Sequence, residues 1–202
     1  MVIIIDYGMG NLRSILRKFD RLKIEAVISS SPEVIEKASK IILPGVGYFA
    51  EGMKKLKEME LIPLLEKLVL VEKRPILGIC LGMQLLTKYS EEGNVEGIGW
   101  IDAQTIKFKF DTNLRIPHVG WNKINVVRRS VLFYDIDLEK RFYFTHSFYI
   151  KSNCPQNIVA TTDYGFDFVS CFQRDNIYGT QFHPEKSHKH GLKLFENFVT
   201  FA

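Results

Sequence analysis

The sequence predicts an α/β fold: a mostly parallel central sheet with helices on both faces, plus a smaller antiparallel strand region. Three observations carry that expectation. Four short apolar runs alternate with helix-period segments over the first ninety or so residues, the order a parallel sheet with right-handed crossovers requires. Glycine-rich turns close three of those runs, at Gly8 and Gly10, at Gly45 and Gly47, and at Gly78 and Gly82. After Glu91-Glu-Gly-Asn94 the helical spacing fades and strand-like segments follow one another, which favours antiparallel pairing.

Taken in order, Val-Ile-Ile-Ile at 2–5 is a continuous apolar strand ending at Asp6-Tyr-Gly-Met-Gly-Asn11. Leu12, Ile15, Leu16, Phe19 and Leu22 then recur at helical spacing. The turn lacks the full glycine fingerprint of a dinucleotide site. A second strand over 24–28 leads to a helix opened by Ser31 and Pro32, and a third strand over 40–43 runs into Pro44-Gly-Val-Gly-Tyr48. Helices are expected over 50–59 and 62–70, then a strand over 75–79 and a helix from Cys80 to about Tyr89. Later strands are expected over 101–110, 121–127, 141–150, 158–162, 168–173 and 177–182. Pro117-His-Val-Gly-Trp-Asn122 reads as a turn among them, with Trp121 either core or an anchor for a partner. A terminal helix carries Leu192, Phe195, Phe198 and Val199 on one face.

Composition bounds the function. With 202 residues, 46% apolar and 25% charged, the chain has the balance of a globular protein, and one domain over 1–202 is expected. The apolar N-terminus lacks the basic start and cleavage site of a signal peptide, and no run approaches the ~18 apolar residues of a membrane span. Three cysteines make no disulfide framework and fit a reducing cytoplasm, the expected location. A net charge of +4, spread along the chain, gives no nucleic-acid footprint, though a basic surface facing an acidic partner stays open.

The chemistry centres on Gly78-Ile-Cys-Leu-Gly-Met-Gln84. Glycines two residues either side of Cys80 suit a sharp strand-to-helix turn that exposes one side chain. A helix N-terminus aimed at the sulfur favours the thiolate. A buried structural thiol is the competing reading. Acyl transfer by a cysteine needs a base, a group that orients the base, and oxyanion donors. Pro184 keeps His183 extended, and in an extended chain Glu185 lies on the same side as His183, so it can fix the tautomer. Of the other histidines, His188 and His190 fall at the terminal helix and read as solvated, while His118 and His146 fall among strands and could be satisfied by backbone. No histidine pair has a zinc-like spacing with nearby cysteines, so no metal or cofactor is expected. The Pro44–Gly47 turn could supply amide donors or be merely a tight turn.

Three motifs, Pro44-Gly-Val-Gly47, Gly78-Ile-Cys-Leu-Gly-Met-Gln84 and Thr180-Gln-Phe-His-Pro-Glu185, resemble those of the class I, triad-type glutamine amidotransferases. The resemblance implies Cys80 as nucleophile, His183 as acid and base, Glu185 as its orienter, and an oxyanion hole from the amides of Val46, Gly47 and Leu81. Four further pieces are similar to the glutaminase subunits of imidazole glycerol phosphate synthase, over essentially the whole chain: Asp6-Tyr-Gly-Met-Gly-Asn-Leu12, Pro117-His-Val-Gly-Trp-Asn122, Tyr143-Phe-Thr-His-Ser-Phe148 and Pro184-Glu-Lys-Ser187. That likeness implies a heterodimer with a (β/α)8-barrel cyclase and an ammonia channel between them, serving histidine biosynthesis. It implies a glutamine pocket lined by Gln84, Glu92, Ser147 and Phe148, and a partner face of Asn11, Pro117, His118, Gly120, Trp121, Asn122 and Lys186. Two departures stand out. Phe148 replaces the tyrosine common in the family, and the stretch 101–115, with Lys107, Lys109 and Arg115, is less typical of histidine-pathway subunits. A related subunit that supplies ammonia for aminating a sugar of surface glycans is the alternative.

Overall fold

The computed structural model describes residues 1–110, 113–139 and 141–202. Strands β1 (Val2–Ile5), β2 (Ala26–Ser29), β3 (Lys40–Leu43) and β4 (Ile76–Ile79) alternate with helices α1 (Leu12–Leu22), α2 (Pro32–Ile35), α3 (Phe49–Glu58) and α4 (Leu61–Glu66). Helix α4 runs on as a π-helical turn, Lys67–Val71. Then come α5 (Leu81–Leu85), β5 (Thr87–Ser90), β6 (Val95–Glu96), β7 (Ile101–Lys107), β8 (His118–Lys123), β9 (Asn125–Val126) and β10 (Arg141–His146). The chain finishes with β11 (Phe148–Ser152), β12 (Ile158–Asp163), β13 (Asp167–Arg174), β14 (Ile177–Thr180) and α6 (His188–Phe201). Residues 111 and 112, within the atypical stretch 101–115, lie outside the described residues.

The main sheet begins in the order β2-β1-β3-β4-β14, all parallel, and continues through antiparallel β13 and β11 to β7, β5 and β6. Strands β8 and β10 form a separate antiparallel pair. Residue alternation in the parallel strands builds two cores. Ile3, Ile5, Ile41 and Leu43 pack with Met53, Leu56, Leu61 and Leu65 of α3 and α4, while Val2, Ile4, Ile42 and Leu77 pack with Ile15, Phe19, Leu194, Phe195 and Phe198 of α1 and α6. Each such side chain, fully buried, contributes about 1.5–3 kcal/mol, so the sheet's carboxyl edge stands on a rigid base.

The α/β architecture is that expected, with local differences; among them, the strands expected over 101–110 and 177–182 stop at Lys107 and Thr180. The helix after Cys80 stops at Leu85 instead of reaching Tyr89. Thr87 Oγ1 donates to Gln84 O at 2.8 Å, and Thr87–Ser90 pairs with β7, so a ladder to distant residues overrides the local apolar spacing. Pro117–Asn122 is not a turn: from His118 on it is strand β8, with Trp121 opposite Tyr143. The expected strand over 141–150 breaks at Ser147, leaving β10 in the small sheet and β11 in the large one. On α6, Leu194 is buried where Leu192 is half-buried.

Candidate active site

Strand β4 ends at Ile79, and the next residue, Cys80, takes φ 52° and ψ −109° before α5 begins. A non-glycine residue held in this region costs of order 1–3 kcal/mol, and the packing explains why it persists. A Cβ on Gly82 would overlap the Leu43 carbonyl, and one on Gly78 would come within 2.8 Å of Gly82 O and the Met83 backbone. The elbow is therefore wedged between its neighbours with no room for side chains on either flank.

Parallel β14 supplies the facing groups. Thr180 pairs with Ile79, and the Cys80 amide donates to Thr180 O at 2.8 Å. The chain then runs on through Gln181 to His183, whose own amide donates to Tyr143 O at 2.9 Å. His183 Nδ1 meets Glu185 Oε1 at 2.7 Å, with both side chains almost wholly buried. His183 is extended as expected, but Pro184–Lys186 is a 3-10 turn, so Glu185 reaches the ring through a turn and not along an extended chain. Ser187 Oγ locks this turn by donating to His183 O at 2.6 Å.

The electrostatics join this pair to the elbow. Burial pulls the His183 imidazole down, but the Cys80 sulfur and Glu185 outweigh it and hold the ring up at about 10. Its Nε2 is buried and makes no hydrogen bond among the described residues. The arrangement stores an imidazolium beside the sulfur, the charge state a thiolate nucleophile requires.

Cys80 opens onto a cavity of about 230 Å³. All eight residues expected in the oxyanion hole, in the glutamine pocket or as nucleophile line it: Val46, Gly47, Cys80, Leu81, Gln84, Glu92, Ser147 and Phe148. Pro117, Thr145 and His146 complete the wall. At about 30 Å³ per water molecule, the space suits a ligand of amino-acid size. Glu92 Oε2 accepts from the Phe49 amide at 2.8 Å, and burial raises its pKa against that bond. Gln84 lines the cavity and spends its amide nitrogen on Phe148 O and Gln181 Oε1.

The partner-face residues divide. Asn11 is exposed and caps α1, its Oδ1 accepting from the Ser14 amide at 3.3 Å. Trp121 is 39% exposed and stacks on exposed His188 at 4.6 Å, so the buried tryptophan of this chain is Trp100 instead. Lys186 is exposed, with Nζ 5.1 Å from the Tyr143 ring centroid. Gly120 and Asn122 are half-buried, and Asn122 Nδ2 donates to Asp163 O at 2.8 Å. His118 corrects the expectation. It is 3% exposed, stacked between Phe144 and Tyr164, because alternation along β8 turns it inward while Val119 points out.

Sequence reasoning missed three residues. Tyr7, fully buried, donates its hydroxyl to Pro44 O at 2.6 Å and braces the Pro44–Gly47 turn; burial and then the Cys80 charge raise its pKa. His146 lines the cavity, and Gln181 contacts the sulfur. Both stand inside motifs quoted above, and their position there was the available signal.

Similarity to known proteins gives the family. The family described as "Glutamine amidotransferase class-I" matches residues 3–201. The chain is 51% identical over 202 residues to "Imidazole glycerol phosphate synthase subunit HisH 2" of Methanococcus maripaludis, covering all of both chains. It is 48% identical over 201 residues to "Imidazole glycerol phosphate synthase subunit HisH 1" of Campylobacter jejuni, covering 98% of this chain and 99% of the relative. A solved structure described as a glutamine amidotransferase superposes with TM-score 0.75 at 18% identity, covering 98% of this chain and 97% of the other, a likeness of fold. The chain belongs to the class I glutamine amidotransferase family.

Proposed function

We propose that the chain hydrolyses L-glutamine with Cys80, His183 and Glu185 and passes the ammonia to a barrel cyclase partner, as the glutaminase subunit of an imidazole glycerol phosphate synthase in histidine biosynthesis. The observation that carries the chemistry is the strained Cys80 at a cavity wall, together with a buried His183 whose Nδ1 is held by Glu185 at 2.7 Å. The pathway reading rests on the names of the relatives, which the chain matches end to end.

The steps follow from the residues. The Cys80 thiolate attacks the side-chain amide of glutamine, and the developing oxyanion takes hydrogen bonds from amides of the Val46–Gly47 turn and Leu81. His183 delivers its Nε2 proton to the departing nitrogen, giving ammonia and a γ-glutamyl thioester. The now neutral imidazole takes a proton from water, whose attack releases glutamate and returns the thiolate. Glu185 keeps the ring oriented throughout. Gln84 Oε1 and the Glu92 carboxylate are acceptors suited to the amide and ammonium groups of the substrate, with Ser147 and Phe148 completing its wall. Ammonia must reach the acceptor unprotonated, so the site is read as abutting a channel into the partner.

Purification with the barrel subunit and an assay for glutamine-dependent formation of imidazole glycerol phosphate and the aminoimidazole carboxamide ribotide AICAR tests this. Both products should appear, and glutaminase activity of the chain alone should be weak and rise with partner and acceptor. A second reading rests on the atypical stretch 101–115, with Lys107, Lys109 and Arg115. On that reading the chain is a paralogous subunit supplying ammonia for sugar amination, and ammonia production without the imidazole product would select it.

A further inference from the structure

A backbone carbonyl can only accept hydrogen bonds, and the carbonyl of Phe148 sets the polarity of a side-chain network that ends at the nucleophile. Gln84 Nε2 lies 3.1 Å from Phe148 O and 2.9 Å from Gln181 Oε1. Because Phe148 O must receive a proton, the Gln84 atom facing it is the amide nitrogen. The second proton on that nitrogen needs an acceptor, so Gln181 turns its oxygen to Gln84 and its NH2 to the elbow. Gln181 Nε2 stands 3.7 Å from Cys80 Sγ. With Gln181 wholly buried, an amide that would turn freely in water has one orientation here.

The same carbonyl is held from its other side. His146 Nδ1 lies 2.7 Å from Phe148 O and therefore carries a proton, which leaves His146 Nε2 as the acceptor for His118 Nδ1 at 3.1 Å. Both rings are neutral, since burial holds them down, His118 at about 4 and His146 at about 3. Tyr7, its pKa raised by burial and then by the Cys80 charge, has its proton committed to Pro44 O. Gln181 is thus a neutral donor aimed at the sulfur by its surroundings.

We propose that Gln181 is a further catalytic residue: its buried amide N–H, oriented by Gln84 and the Phe148 carbonyl, donates to the Cys80 sulfur and favours the thiolate over the thiol. A hydrogen bond to the charged form of a group stabilises that form. The bond serves the sulfur twice, as nucleophile toward the amide and as leaving group when the thioester is cleaved. The catalytic role rests on the glutaminase reading, whereas the donor role concerns the free protein.

The test is the pH profile of Cys80 alkylation by iodoacetamide in the full chain, read by mass at the Cys80 peptide, for wild type, Gln181→Leu and Gln181→Glu. Only the thiolate reacts, so loss of the donor should move the profile up by about one pH unit, which slows alkylation roughly tenfold on the rising limb of the profile. Gln181→Glu, close in shape, should move it further by placing a carboxylate against the sulfur. A folded variant with the wild-type profile overturns the proposal. In wild type, the side-chain 1H–15N signal of Gln181 should titrate together with the alkylation profile, and a flat signal overturns it even if both variants unfold. Alkylation needs no turnover, so a chain that makes no glutamate would sink the functional reading and leave Gln181 to be decided by its own profile.

Discussion

Thr180 pairs with Ile79 across parallel strands β14 and β4, and its carbonyl receives the Cys80 amide at 2.8 Å. This one register brings residues a hundred positions apart to the same sheet edge. A slip of one residue would turn alternate side chains to the other face and take His183 away from the sulfur.

Cys80→Ala should abolish glutamate release while the cavity still binds glutamine. Isothermal titration against a glutaminase assay separates the two. Residual turnover near the wild-type rate would remove Cys80 from the mechanism.

Glu185→Gln keeps the shape of the buried pair and loses its charge. His183 then loses its preferred tautomer and the partner of its imidazolium, and kcat should fall on the order of 10²–10⁴-fold with KM little changed. Steady-state kinetics of the partnered enzyme decide this. A loss confined to KM would make Glu185 a binding residue instead.

Gly82→Ala forces a methyl group into the Leu43 carbonyl. The backbone of β3 cannot yield without disturbing both cores, so the variant should lose about 2 kcal/mol or more together with its activity. Urea unfolding measures it, and an unchanged midpoint would show the elbow to be looser than the packing implies.

His118 and His146 make the fold sensitive to acid. Their folded pKa values, about 4 and about 3, lie below the ordinary value of 6.5 because burial penalises the charged ring. Between about pH 6.5 and those values the unfolded chain binds more protons than the folded one, so stability falls as pH falls through that window. Each pH unit costs up to about 1.4 kcal/mol per ring. Urea midpoints from pH 7 to 4 should drop steeply for wild type and less steeply for His146→Gln; equal slopes would contradict the assignment.

Trp121 and Lys186 are both exposed, both lie against the Tyr143 ring, and carry little of the core. Trp121→Ala should leave thermal stability nearly unchanged and weaken association with a barrel partner about tenfold or more. Analytical ultracentrifugation or titration calorimetry reads the effect, and undiminished affinity would move the partner face elsewhere.

The parallel half of the fold was legible along the chain because its signals are local. Apolar runs such as 2–5, glycine turns and the helical spacing of Leu12 to Leu22 act between near neighbours, and the Cys80, His183 and Glu185 motifs stand at the ends of such runs. What only the tertiary structure decided depends on distant partners. Thr87–Ser90 became a strand because β7 was there to pair with it, and β8 replaced a turn because β10 lay opposite. His118 turned inward by strand alternation that a turn would not impose. The roles of Tyr7 and Gln181 were invisible for the same reason. A hydroxyl or an amide gains direction only when burial removes water and the fold leaves it one acceptor, as Pro44 O does for Tyr7 and the Phe148 carbonyl, through Gln84, does for Gln181.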